Sequence, residues 1–321
     1  MQGLHRSDVP LSGTWSAGVA RACPENRDGY PWRNVGTAFD YELRFCLGGQ
    51  ALRDLVAYSG AQELTAWWGL GGGLPQGFIE LTDCVNALER ADQNWGRPTT
   101  PEGKRKVAQV SLALALYEQC YRAQIDDTWP LLQLGKGATL EQIFELFRDD
   151  VLNDLVQLSN VFIETQPELL AAKDLVLNPK FDASPLLGGA DADLIVDGRL
   201  LDIKTTIDPK ITPAHLWQVL GYALADFSDC YGITEVGLYF SRQGIQVAWD
   251  IGTLMELMSG APHDLNTMRQ RFREILEMSP DGQQALAWAS STPSDVLARL
   301  ARDEDSTVRR GAAGNPSAPP S

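Results

Sequence analysis

The dipeptide Asp197-Gly198 lies between two short apolar runs, Leu194–Val196 and Leu200–Leu201. Asp-Gly favours the positive φ angles of a two-residue turn that joins antiparallel strands without slack. Such a turn sets the register of the strands it joins. Val196 faces Arg199, Ile195 faces Leu200 and Leu194 faces Leu201. Continued outward, the same register puts Asp193 against Asp202 and Asp191 against Lys204. Side chains alternate along a strand, so these four are expected to share one face.

Directly opposed residues have Cβ atoms roughly 5 Å apart, and like charges placed so destabilise a sheet. Two carboxylates set against each other among Leu, Ile and Val call for a compensating cation. A hard divalent ion with oxygen ligands fits them, which points to Mg²⁺ or Mn²⁺ held by Asp193 and Asp202, with the Ile203 carbonyl as a further ligand. Lys204 would stand beside that ion, placed to orient a water and to stabilise negative charge on a phosphate. The competing interpretation is a polar sheet face with an Asp191–Lys204 ion pair, which leaves Asp193 against Asp202 unexplained.

Elsewhere the chain alternates between helical and strand periodicity. Residues 1–35, rich in Gly, Pro, Arg and Ser, read as an irregular arm. Helices are expected over Ala38–Leu47 with Thr37 as N-cap, Gln50–Tyr58, Gly77–Ala91 and Lys104–Ala123, with a glycine-rich loop at Gly69–Gly77. The helix over Lys104–Ala123 has an apolar side of Val107, Val110, Leu114, Tyr117 and Tyr121. One long amphipathic helix is expected from Thr139 to about Ile163, with Ile143, Leu146, Phe147, Val151, Leu155 and Leu158 inward. Beyond Pro167 come strands at Leu175–Leu177, around Asp197-Gly198, at Glu235–Ser241 and at Ile245–Trp249. Helices are expected over Pro213–Asp226, Thr253–Leu257 and Leu265–Met278. The pattern predicts an α/β fold: a mixed central sheet flanked by helices. It divides into a mostly helical N-terminal region packed on the core (1–135), the sheet-bearing core (136–278) and a short helical, repeat-like tail (279–321).

Thr212 and Pro213 mark the start of the helix that follows the hairpin. On it, His215, Gln218 and Tyr222 fall on one face at helical spacing, and Leu216, Leu220, Ala223 and Phe227 lie opposite. Asp193, followed by Asp202-Ile203-Lys204 on the next strand, resembles the D…(D/E)xK signature of the PD-(D/E)XK nuclease superfamily. Gln218 and Tyr222 are similar to the QxxxY motif of its RecB-like branch. The resemblance covers about Asn178 to Trp249. It implies a restriction-endonuclease-like core with Asp193 and Asp202 as metal ligands and Lys204 as the catalytic lysine. Gln218 and Tyr222 would orient the site or the nucleic-acid strand. The implied activity is metal-dependent hydrolysis of DNA phosphodiester bonds, in repair or in defence against foreign DNA, with RNA as a possible substrate. Ala192 replaces the proline of the family name. An upstream acid is often added in the family, and Glu42, Glu145, Asp150 and Asp154 are the candidates here. The clustered cysteines of iron–sulfur members are missing, so no such cluster is expected. The tail, LARLARDED followed by VR, AA and NPS, resembles a bacterial leucine-rich repeat variant, which implies a contact surface for a protein partner.

Bulk properties bear on these expectations. The formal net charge is −15, which is not the basic footprint usual for nucleic-acid binding; a local basic groove and a bound metal would have to offset it. The acid is concentrated, with twelve Asp/Glu against three Lys/Arg between Glu141 and Asp197. Five widely spaced cysteines with no CxxC pair argue for reduced thiols rather than a disulfide framework or a zinc site. No signal-like or membrane-spanning segment stands out, so a cytoplasmic location is expected. Two other functions remain compatible: a non-catalytic nucleic-acid-binding or adaptor protein with a vestigial nuclease fold, and a metal-dependent hydrolase of another phosphate substrate.

Overall fold

A computed structural model of the chain describes residues 20–48, 52, 55–123, 126, 128–187, 189–289, 292 and 294–318. The described residues form a mixed α/β structure. Its five-stranded sheet comprises β1 (Leu175–Leu177), β2 (Leu194–Val196), β3 (Arg199–Lys204), β4 (Glu235–Phe240) and β5 (Ile245–Asp250), in that spatial order. β3 and β4 run parallel, and the other neighbours are antiparallel. Asp197 and Gly198 have φ of 47° and 76°, as a type I′ turn requires. The β2–β3 register is the one the turn dictates: Val196 with Arg199, Ile195 with Leu200, Leu194 with Leu201. The ladder stops there, one pair short of Asp193.

The N-terminal helices are α1 (Trp32–Cys46), α2 (Val56–Trp67), α3 (Gln76–Ala91) and α4 (Pro101–Arg122). They are followed by α5 (Pro130–Leu134), α6 (Leu140–Phe144), α7 (Asp149–Thr165) and α8 (Pro167–Leu170). Between β3 and β4 runs α9 (Pro213–Ala225). After the sheet come α10 (Ile251–Ser259), α11 (Leu265–Met278), α12 (Pro280–Trp288), α13 (Ser294–Leu300) and α14 (Ser306–Gly314). No helix among the described residues is long and apolar enough to cross a membrane. All five cysteines are free thiols.

The sheet's two faces pack against different helices. Ile195, Leu200, Leu238 and Phe240 join Leu216, Val219 and Leu220 of α9 in one core. Leu194, Val196, Leu201 and Tyr239 join Val35, Phe39 and Leu43 of α1 and Leu155 and Leu158 of α7 in another. A third core, from Tyr41 to Ile143, lies wholly among the N-terminal helices. Ala287, Leu297, Leu300, Val308 and Ala312 close a small one within α12–α14.

Several expected elements need correction. α1 begins at Trp32 after Pro31, not after Thr37, because buried Val35 extends its apolar stripe by a turn. The helix expected over Gln50–Tyr58 instead runs from Val56 to Trp67; Gln50, Ala51, Arg53 and Asp54 lie outside the described residues, as does most of the expected arm over 1–35. The single helix expected from Thr139 to Ile163 is two. Thr139 and Gln142 form a capping box for α6, but Arg148 is extended and α7 restarts at Asp149. Acidic residues in a first turn favour such a start. The break turns Leu146 outward, and Tyr121 is likewise 55% exposed rather than inward.

Two contacts set the helical layers. Asp154 on α7 and Arg242, in the β4–β5 turn, are both fully buried and joined by two bonds of 2.8 Å. Tyr30 donates to the same carboxylate, and Arg242 Nη1 donates to the Ala22 carbonyl at 3.2 Å. At Gly60, α2 meets α4 so closely that a Cβ would lie 1.7 Å from the Tyr117 carbonyl oxygen. Removing one partner of a buried pair strands the other charge, so Asp154→Ala is expected to cost roughly 3–5 kcal/mol of unfolding free energy in urea titrations. Gly60→Ala forces the two helices apart and is expected to cost roughly 1–3 kcal/mol in the same measurement.

Candidate active site

β3 carries residues to both sides of the sheet. Leu200 packs toward α9 and Leu201 toward α1 and α7. By alternation Asp202 and Lys204 follow Leu200, while Ile203 and Thr205 follow Leu201. The chemistry gathers at the C-terminal end of β3, where α/β sheets commonly bind ligands.

Asp193 leaves the β2 ladder. Its Oδ2 accepts a 2.5 Å hydrogen bond from the Ile203 backbone N–H, and its carbonyl accepts from Asn178. Asp202 is buried. Its Oδ2 forms an ion pair with the Lys204 ammonium at 2.5 Å. Lys204 Nζ also donates to Gln218 Oε1 at 2.9 Å, and Gln218 Nε2 donates to the Tyr222 hydroxyl at 3.0 Å. The Tyr222 ring stacks on Phe181 with centroids 5.8 Å apart. A continuous polar chain thus runs Asp202–Lys204–Gln218–Tyr222.

α9 supplies Gln218 and Tyr222 because its start is fixed. Thr212 and His215 form a capping box, and Pro213 occupies the first turn. This satisfies two backbone donors and pre-sets φ at the helix entry.

Electrostatics disfavours the charged forms of both carboxylates. Burial, then the charges of Asp202 and Asp40, push Asp193 well above the usual carboxylate range; the Ile203 N–H and Arg44 pull it back in part. Burial also raises Asp202, against the lowering effect of Lys204. Burial, followed by the Lys204 charge, lowers His215. Each carboxylate would gain from a cation. Among the described residues, no group of three His, Cys, Asp or Glu side chains is placed to hold a metal ion. Mg²⁺ asks for less from a protein, ordinarily one or two carboxylates with waters and substrate phosphate oxygens completing its shell. The Asp193–Asp202 pair, two buried carboxylates whose charged forms burial disfavours, fits such a hydrated ion.

Asp193 and Ile203 open onto a cleft of about 1220 Å³. That exceeds the roughly 300–1,000 Å³ of small-ligand pockets. Asp191 lines it too, and pairs through the backbone with Lys180 rather than facing Lys204. The opposite wall comes from α1 and α4, including Asp40, Arg44, Glu118 and Arg122. The expected upstream acids lie elsewhere. Asp154 is locked to Arg242, Asp150 pairs with Arg148, Glu145 is exposed and Glu42 is sealed against Ser159 of α7. The α1 acid beside Asp193 is Asp40, bonded to Arg44. The sequence does hold a signal for it: Asp40/Arg44 and Glu118/Arg122 are both acid–arginine pairs four residues apart.

No family model matches the chain, nor does any curated protein or solved structure.

Burial pushes the Glu42 carboxyl up to about 8, only partly offset by the Ser159 hydroxyl. Between the ordinary carboxylate value and pH 8, the folded protein holds a proton on Glu42 that the unfolded chain releases. Stability should therefore fall as pH rises through that window, by up to about 1.4 kcal/mol per pH unit. Glu42→Gln, compared with wild type in urea unfolding at pH 5 and pH 8, should remove this part of the slope and be the more stable protein at pH 8.

Proposed function

We propose that the chain is a metal-dependent nuclease of the PD-(D/E)XK type, in its RecB-like branch, hydrolysing DNA phosphodiester bonds. The observation that carries this is the polar chain Asp202–Lys204–Gln218–Tyr222 at the end of β3, with Asp193 beside it. A hairpin followed by a helix and a parallel strand is the arrangement a restriction-endonuclease-like core would need. RNA is the less favoured substrate, and repair and defence against foreign DNA are both compatible roles. The small core of α12–α14 supports a repeat-like tail that contacts a protein partner.

In this scheme Asp193 and Asp202 hold Mg²⁺ or Mn²⁺. When bound, the ion supplies Lewis acidity and lowers the pKa of a coordinated water. Asp193 is fixed by the Ile203 N–H, so its free oxygen is pre-aimed. Lys204 brings a positive charge to the attacked phosphate, where developing negative charge is best stabilised by a preorganised donor. Gln218 accepts from Lys204 and donates to Tyr222, which holds the ammonium in place. Tyr222 is a positioning residue, braced by Phe181.

The test is cleavage of linear, circular and single-stranded DNA, and of RNA, in Mg²⁺, Mn²⁺ or EDTA. Wild type should cut DNA with metal and not with EDTA, and Asp202→Ala and Lys204→Ala should each lose roughly a hundredfold or more. Mg²⁺ should raise the melting temperature of wild type but not of Asp193→Asn. Oligonucleotide binding without cleavage or metal response would favour the adaptor function instead.

A further inference from the structure

The cleft is lined by the acids Asp40, Glu118, Asp191 and Asp193 and by Arg33, Arg44 and Arg122. Two aromatic–arginine dipeptides border it: Trp32-Arg33 in the first turn of α1 and Tyr121-Arg122 in the last turn of α4. They are about ninety residues apart in sequence, so only the fold brings them to one opening. Both rings reach solvent there, Trp32 at 39% and Tyr121 at 55%.

One member of each pair is anchored: Arg122 in the second and Trp32 in the first. Arg122 Nε is held at 2.5 Å by Glu118, which accepts another 2.5 Å bond from the Tyr41 hydroxyl. The Tyr41–Glu118 bond ties the α1 wall to the α4 wall, and within α1 Arg44 lies over the Tyr41 ring at 5.6 Å and bonds Asp40. Half of the Arg122 side chain still faces solvent. Trp32 is packed at 4.5 Å from Tyr30 and stands over the buried Arg242 guanidinium at 5.4 Å. Trp32 and Arg122 are thus pre-positioned, and a guanidinium beside an aromatic ring suits a backbone phosphate and an unpaired base.

We propose that Trp32-Arg33 and Tyr121-Arg122 form a single-strand grip on the cleft rim. The two arginines take backbone phosphates of single-stranded DNA and the two rings stack on its bases. This rests on the nuclease proposal only in the direction of feed: a strand held on the rim passes over Asp193. Duplex DNA is disfavoured because its base faces are hidden within the stack. Arg33 and the half-exposed Arg122 are the cationic side chains that a polyanion would meet beside these rings, in a chain of net charge −15.

The test is fluorescence anisotropy of the full chain with a labelled oligothymidylate in EDTA at low salt, where no cleavage occurs. Wild type should bind it, and bind a duplex of the same length more weakly. Arg33→Gln with Arg122→Gln should weaken binding at least tenfold. It should also reduce the slope of log K against log salt by about 0.7 for each phosphate that no longer meets an arginine. Tyr121→Ala should weaken binding roughly five- to a hundredfold while Tyr121→Phe restores it; circular dichroism checks that each variant folds. Absence of wild-type binding, or variants with wild-type affinity and salt slope, would overturn the grip. So would a duplex bound as tightly as the single strand. Lys204→Ala separates the two proposals: it should lose cleavage roughly a hundredfold or more, while the preference for single strand over duplex and its loss on Tyr121→Ala persist. A protein that binds through the rim yet never cuts refutes only the nuclease, and one that cuts with rim variants unaffected refutes only the grip.

Discussion

The buried Asp154–Arg242 pair is the joint on which the layers of this protein converge. It connects α7 to the turn between β4 and β5, and Tyr30 and Ala22 close on it from the segment leading into α1. An ion pair wholly removed from water gains little net stability, because desolvation consumes most of the Coulombic attraction. Its effect is geometric. A fully buried guanidinium with fixed donors tolerates few arrangements of its neighbours. The entry to α1, and with it one wall of the cleft, is thereby indexed to the sheet that carries Asp193 and Asp202.

The acids of the cleft pose the opposite electrostatic problem. Burial, then the charges of Asp202 and Asp40, raise the cost of ionising Asp193 on the cleft wall. Three cationic side chains are set around them, each already committed: Lys204 to Asp202, Arg44 to Asp40 and Arg122 to Glu118. Neutralisation is therefore local and paired, leaving the cleft polarised rather than blank.

What is legible in the sequence is local. Asp197-Gly198 admits one tight turn, so the pairing of Leu194–Val196 with Arg199–Leu201 can be written down without the fold. Thr212 and Pro213 likewise announce α9, and helical spacing puts Gln218 one turn from Tyr222. Extrapolation of the ladder to Asp193 meets a limit. Past Leu194 the strand yields to the Asn178 backbone bond, and the carboxylate turns to cap Ile203. The acid on α1 escapes a reading in one dimension because Glu42 and Asp154 look equally eligible there. Only packing shows that both are sealed in the core while Asp40 faces the cleft. The split between α6 and α7 is readable in principle from Asp149 and Asp150, but amphipathic periodicity running through Leu146 and Phe147 conceals it.

The close crossing at Gly60 carries a consequence for how this protein can diversify. Tyr117 touches that glycine, and Glu118 and Arg122 follow on the next turn of the same helix. The absence of a side chain on α2 thus fixes how far the cleft wall stands from its backing. An exposed residue at the lip such as Tyr121 can be exchanged without disturbing what lies behind it. The wall itself cannot slide to widen the opening unless position 60 changes first. New preferences among ligands would then arise by repainting the lip, and the width of the mouth would stay an inherited constant.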